Sequence, residues 1–224
     1  MDIDIGYIIL WFIVLLFSLS FHEAAHAWTS EKFGDDTGRR QGRITLNPLP
    51  HIDPIGTVVF PLIMAITSIP LFGWAKPVET NPNLWRDKTK ANISVSAAGP
   101  ISNFILAAAA FIILKSLIAG GLAFPVGNAG VVPMPGQPAF MEPLTLLLNI
   151  MLALNLALGV FNLIPIPPLD GSHVLESLLP DEMAQAYAQI QPYGFILLIA
   201  LMYIGVFGYI YFPVRSLVFG LLAV

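Results

Sequence analysis

Apolar residues along this chain come in long unbroken runs and not at the spacing of a half-buried helix or strand. From Ile5 to Ser20, sixteen residues pass with no ionisable side chain other than the Tyr7 phenol. A helix that crosses a bilayer needs about 20 apolar residues. Four stretches qualify: Ile3–Trp28, Asn92–Leu114, Pro143–Ile164 and Pro192–Phe212. A fifth, Pro54–Phe72, is apolar but interrupted by Pro61 and Pro70, and the tail Val214–Val224 is too short to cross. Between the runs lie a basic region (Glu31–Asp53), a Trp/Pro-rich connector (Gly73–Ala91), a Gly/Pro-rich loop (Gly120–Glu142) and a polar stretch (Asp170–Gln191). The polar stretch reads as one or two short helices at the membrane surface. Within it, "LPDEMAQAYAQIQP" opens at Pro180 and stops at Pro192, as a helix does.

Composition sharpens this pattern. Of 224 residues, 56% are hydrophobic and 11% are charged, against about 25% charged in a soluble domain. The chain cannot cover itself in water, so an all-α polytopic membrane protein is expected, embedded in the bilayer as one domain over 1–224. Cysteine is absent, which excludes disulfides and thiolate metal sites. Nothing in the charge pattern points to nucleic acid. The start, "MDID", is acidic and no small-residue cleavage site follows the first run, so a retained helix is expected in place of a signal peptide.

Charge placement predicts the orientation. Eight of the ten Lys and Arg residues fall between Lys32 and Lys90, and the loop Gly120–Glu142 has none. By the positive-inside rule, residues 32–90 face the cytosol and 120–142 face outside. The first helix then runs inward and brings residues 22–26 to the cytosolic edge, roughly 30 Å beyond Ile3. Both ends of Pro54–Phe72 must lie on the same side, so this segment is expected to be re-entrant, starting with Asp53 as N-cap and Pro54 in the first turn. The competing expectation is a fifth full crossing.

At that edge stands "FHEAAHAW", Phe21–Trp28. His22 and His26, four apart, project from one helix face, and HExxH on a helix is a zinc signature. Ionisable groups at membrane depth are costly and generally functional. A catalytic zinc wants three protein ligands and an open position. The candidates for the third are His51, His173 and the carboxylates. Asp170, in "NLIPIPPLDGSH", is the best of them: with 54–72 re-entrant, the run Pro143–Ile164 returns inward and delivers Asp170 to the depth of His22 and His26.

HEAAH, followed by "GPISNF" (Gly99–Phe104) and "NLIPIPPLDG" (Asn162–Gly171), resembles the site-2 protease family of intramembrane zinc metalloproteases. The resemblance covers roughly residues 5–175, with C-terminal helices over 176–224, and is closest to short members without PDZ or CBS domains. It implies one Zn2+ per chain held by His22, His26 and Asp170, with Glu23 as general base and acid. Asn162 and Pro165 would contact the substrate or its transition state. Asn155, seven residues before Asn162 on the same face, reads as a polar contact between helices. The family further implies membrane-protein substrates with transmembrane helices, and a prokaryotic cell (inner) membrane location with the active site toward the cytosol.

A helix hides its peptide bonds, so a substrate helix must be held extended for cleavage, as strand addition does. The resemblance suggests a small membrane-associated β element near the zinc; the candidate stretches are Gly42–Leu46 and Trp74–Thr80. His51 and His173 read first as surface histidines and second as groups supporting the metal site. A different class remains open: a membrane-embedded metal-binding or transport protein, or an inactive helix-binding relative. Glu23 discriminates, because a transport site has no need of a carboxylate beside the metal.

Overall fold

The computed structural model describes residues 5–67 and 73–224. Its helices are α1 (Ile5–Lys32), α2 (Thr37–Arg40), α3 (Phe60–Thr67), α4 (Lys88–Ala119), α5 (Met141–Asn162), α6 (Asp170–Leu178), α7 (Asp181–Ala188), α8 (Gly194–Ile204) and α9 (Val206–Leu222). Among the described residues, four stretches are long and apolar enough to cross a membrane: α1, α4, α5 and Asp181–Ile204. The chain is thus an all-α polytopic membrane protein with one small two-stranded sheet among the described residues, β1 (Ala123–Pro125) against β2 (Val131–Pro133).

α1, α4 and α5 pack on one another and form the frame. α5 comes close to α4 because Gly159 lies against the Phe104 ring, where a Cβ would stand 2.8 Å from ring carbons. At the sheet end the core is Ala107, Ala110, Leu114, Leu148, Leu152 and Leu156, closed by Phe219 and Leu222 of α9. The sheet is fixed to this end by Asn149, whose side chain bonds both N–H and C=O of Val131. At the opposite end, Trp85, Ala91 and Val95 pack under the loop that follows α1.

The re-entrant reading of Pro54–Phe72 agrees with the structure. Asp53 caps the segment, accepting from the N–H groups of Ile55 and Gly56. A wide helical turn over Pro54–Val59 continues into α3. The returning chain meets the departing one: Trp74 N–H donates to Gly56 O at 3.2 Å, and Thr57 Oγ1 donates to Trp74 O at 2.7 Å. A full crossing would place these partners about 30 Å apart. Part of the segment, 68–72, falls outside the described residues.

Two expectations change. Pro192–Phe212 is not one helix. Gly205 at φ +82° ends α8, a left-handed conformation that no continuing helix contains. α8 spans about 16 Å, and the chain restarts as α9, which takes in the tail from Val214 to Leu222. α8 begins against Pro167, and α9 ends where Lys115 Nζ donates to the carbonyls of Leu221 and Leu222. Together they traverse the bundle as a broken pair. The second change concerns the sheet. It lies in the Gly/Pro-rich loop at the end of the bundle away from HEAAH, and neither Gly42–Leu46 nor Trp74–Thr80 forms a ladder. Gly42 at φ +67° turns the chain back, with Arg43 N–H on Gly38 O. Ile44, Thr45 and Leu46 then line an apolar groove between α1 and α4, with none of the HEAAH histidines in it.

Candidate active site

The last three turns of α1 carry His22, Glu23 and His26 into a cleft of about 570 Å³. α4 faces them with its glycine. A Cβ at Gly99 would stand 2.4 Å from His26 Nε2 and 2.5 Å from His22 Nε2, so only glycine leaves room for the imidazoles. From the other side comes Asp170, first residue of α6. Gly171 makes this approach possible, since a Cβ there would lie 2.3 Å from the Leu163 carbonyl oxygen at the end of α5.

The donor atoms converge. His22 Nε2 and His26 Nε2 are 3.0 Å apart, and Asp170 oxygens lie 3.2 Å from the first and 3.4 Å from the second. Zinc bonds of about 2.0–2.1 Å at tetrahedral angles put ligand atoms about 3.4 Å apart, which is close to these separations. Each imidazole is held from behind: His22 Nδ1 meets Asn103 Oδ1 at 2.7 Å, and His26 Nδ1 meets Val95 O at 2.6 Å. Both partners accept, so both Nδ1 atoms carry the proton and both Nε2 atoms present lone pairs. Asp170 Oδ2 is buried without a hydrogen-bond partner among the described residues. Two lone pairs and a carboxylate facing one another require a cation between them.

Glu23 stands beside this cluster and not in it. Its Oε2 accepts from the Val78 N–H at 2.8 Å, a bond that sequence reasoning did not anticipate. The connector Trp74–Thr80 runs extended along the cleft, with Trp74, Ala75, Pro77, Val78 and Thr80 in its lining. Trp74, Lys76 and Val78 turn their backbone groups inward: Lys76 N–H donates to His51 O, and Arg43 donates to Lys76 O. Burial lowers the Arg43 guanidinium from its ordinary value.

The remaining candidates separate. Asn162 lines the cleft and spends one N–H on Leu158 O at 3.0 Å, within its own helix. Pro165 is exposed, its carbonyl accepting from the Tyr187 hydroxyl at 2.9 Å. His173 is exposed at the cleft margin. His51 is buried away from the metal group, its Nε2 on Thr45 O at 3.1 Å, and burial pushes its imidazole below the ordinary value. Among the described residues, His22, His26 and Asp170 are the one group with three converging metal donors.

The family model described as Peptidase family M50 matches residues 10–203. The chain belongs to peptidase family M50. It is 38% identical over 204 residues to "Putative zinc metalloprotease YwhC" of Bacillus subtilis, covering 91% of this chain and 84% of that protein. It is 32% identical over 188 residues to "Putative zinc metalloprotease Rip2" of Mycolicibacterium smegmatis, covering 84% of this chain and 64% of the relative. No solved structure matches. Membership agrees with the resemblance drawn from HEAAH, GPISNF and NLIPIPPLDG. This M50 chain is a metalloprotease, and zinc is its cofactor.

Proposed function

We propose that this chain is an intramembrane zinc endopeptidase that hydrolyses peptide bonds within or near transmembrane segments of other membrane proteins. The observation that carries this reading is the convergence of His22, His26 and Asp170, with donor atoms within 4.8 Å of one another, at the ends of helices built for lipid. His22, His26 and Asp170 hold the metal. Bound there, zinc supplies an activated water and polarises the scissile carbonyl.

The chain's own residues do the rest. Glu23 takes the proton of the attacking water at Oε1, the oxygen not engaged by Val78, and hands it to the leaving amine nitrogen. The Val78 N–H keeps the carboxylate aimed along the cleft. Asn162 offers its second amide hydrogen to the substrate backbone or the developing oxyanion. Pro165, its φ fixed by its ring, holds the bend between α5 and Asp170 beside the substrate cleft. His173 supports the cleft margin.

The extended connector is the remaining candidate for strand addition. The backbone groups of Ala75 and Glu79 have no hydrogen bond among the described residues, and they alternate with the inward-bonded positions. A substrate strand paired there exposes its carbonyls beside the metal. The basic residues of 32–90 put this end of the molecule in the cytosol, and the bacterial relatives fit a cell-membrane location. Residues 5–175 form the catalytic core of a single domain.

Co-expression with a panel of single-span membrane proteins tests the reading. Wild type should yield truncated products that Glu23→Gln does not. Zinc-loaded protein that cleaves no membrane helix would favour a metal-transfer or helix-binding role.

A further inference from the structure

Ser18 of α1, Asn103 of α4 and Asn155 of α5 are fully buried polar side chains in the middle of the bundle. They form a chain that ends on the metal site. Asn155 Nδ2 donates to the Met151 carbonyl at 2.9 Å and to Ser18 Oγ at 2.8 Å. Asn103 Nδ2 donates to Asn155 Oδ1 at 2.9 Å, and Asn103 Oδ1 faces His22 Nδ1 at 2.7 Å.

The direction of this chain is fixed at its far end. A backbone carbonyl only accepts, so the group of Asn155 that faces Met151 O is the NH2 group. The amide oxygen of Asn155 therefore points at Asn103. Asn103 must turn its own NH2 group toward it, which leaves its oxygen for His22. His22 Nδ1 must then carry a proton, and Nε2 has its lone pair for the metal. His26 needs no such relay, because Val95 O sets its tautomer directly. With Asn103 turned over, its NH2 group would face His22 Nδ1, favour the tautomer protonated at Nε2 and block the metal position.

We propose that Asn155 is a positioning residue for the metal centre: acting through the amide of Asn103, it fixes the tautomer of His22 that can bind a cation. The inference rests on the proposed zinc ligand set and adds to it a residue on a third helix that touches neither metal nor substrate. Partners of metal-bound histidines are commonly worth 10–100-fold in affinity.

The test measures zinc affinity by chelator competition on the full chain in detergent, together with 15N histidine shifts of the metal-free protein. Asn155→Leu should weaken zinc about tenfold or more and populate the His22 tautomer protonated at Nε2. Asn103→Asp presents an acceptor oxygen to His22 whichever way it turns. Adding it to Asn155→Leu should therefore restore affinity, although packing around position 155 stays altered. Unchanged zinc affinity in Asn155→Leu overturns the proposal. So does a loss that persists undiminished in the double variant, since that is the behaviour of a packing residue. His22→Ala separates this from the parent reading. If it keeps full zinc affinity, the ligand set is wrong; if it loses zinc while Asn155→Leu binds normally, only the relay is wrong.

Discussion

Replacing Gly99 with alanine perturbs the metal cradle at its tightest point. The added methyl would lie 2.4 Å from His26 Nε2 and 2.5 Å from both Cε1 and Nε2 of His22. Ordinary contact is about 3.5 Å, so the imidazoles or α4 must retreat by about 1 Å. Metal sites hold their ligand distances to about 0.2 Å, so the displacement cannot be absorbed with both histidines bound. Zinc affinity should fall about 100-fold, the upper end of what partners around a metal site cost when lost. The helix itself gains, since alanine is favoured over glycine by about 1 kcal/mol, so a weakened α4 would not explain the result. Bound zinc per chain after equilibration with a chelator is the assay, with circular dichroism to verify the fold. Gly220→Ala is the control, because its Cβ would meet nothing within 4 Å. A Gly99→Ala protein with stoichiometric zinc and wild-type cleavage would refute the cradle.

Glu23→Gln should retain zinc and lose about 10²–10⁴-fold in turnover; zinc near wild type with unchanged turnover would remove Glu23 from the chemistry. Asp170→Ala should lower zinc occupancy more than His51→Ala or His173→Ala, and metal analysis of the three variants decides among them. Single cysteines at Thr37 and Asn83, in a chain with none of its own, should both label only from the cytosolic side with an impermeant thiol reagent; outside labelling at position 83 would break the topology. Burial disfavours the protonated imidazole of His51 in the folded chain, so its contribution to stability is complete above about pH 6.5 and fades as pH falls below that value, where the unfolded chain takes up the proton more readily. Thermal unfolding in detergent between pH 7.5 and 5 should show this loss, and His51→Gln should flatten it.

Much of the frame was legible because bilayer length and charge placement constrain it directly. HEAAH and Asp170 could be brought together by counting crossings, and the junction of Trp74 with Gly56 upholds the parity on which that count rests. The break at Gly205 was not legible: a glycine inside an apolar run announces no φ, and packing against α5 and the sheet decides it. The strand candidate at Gly42–Leu46 failed because alternation over five residues cannot be told from a turn once Gly42 takes a left-handed conformation. Asn103 and Asn155 were visible as polar residues in apolar helices. Their joint role was hidden, since it depends on which helix faces which and on amide direction. Gly99 carried no signal beyond its place in GPISNF, and its meaning is the space its missing Cβ leaves for two imidazoles.

Reconstitution into liposomes with a single-span helical substrate tests the central claim most directly. Purified chain is stripped of metal, zinc is added back, and mass spectrometry locates the new termini. The account predicts cleavage that returns with zinc, is absent in Glu23→Gln, and maps within or at the edge of the substrate's membrane span. Zinc-loaded wild type that leaves the span intact, or that cuts only far outside it, would contradict the account.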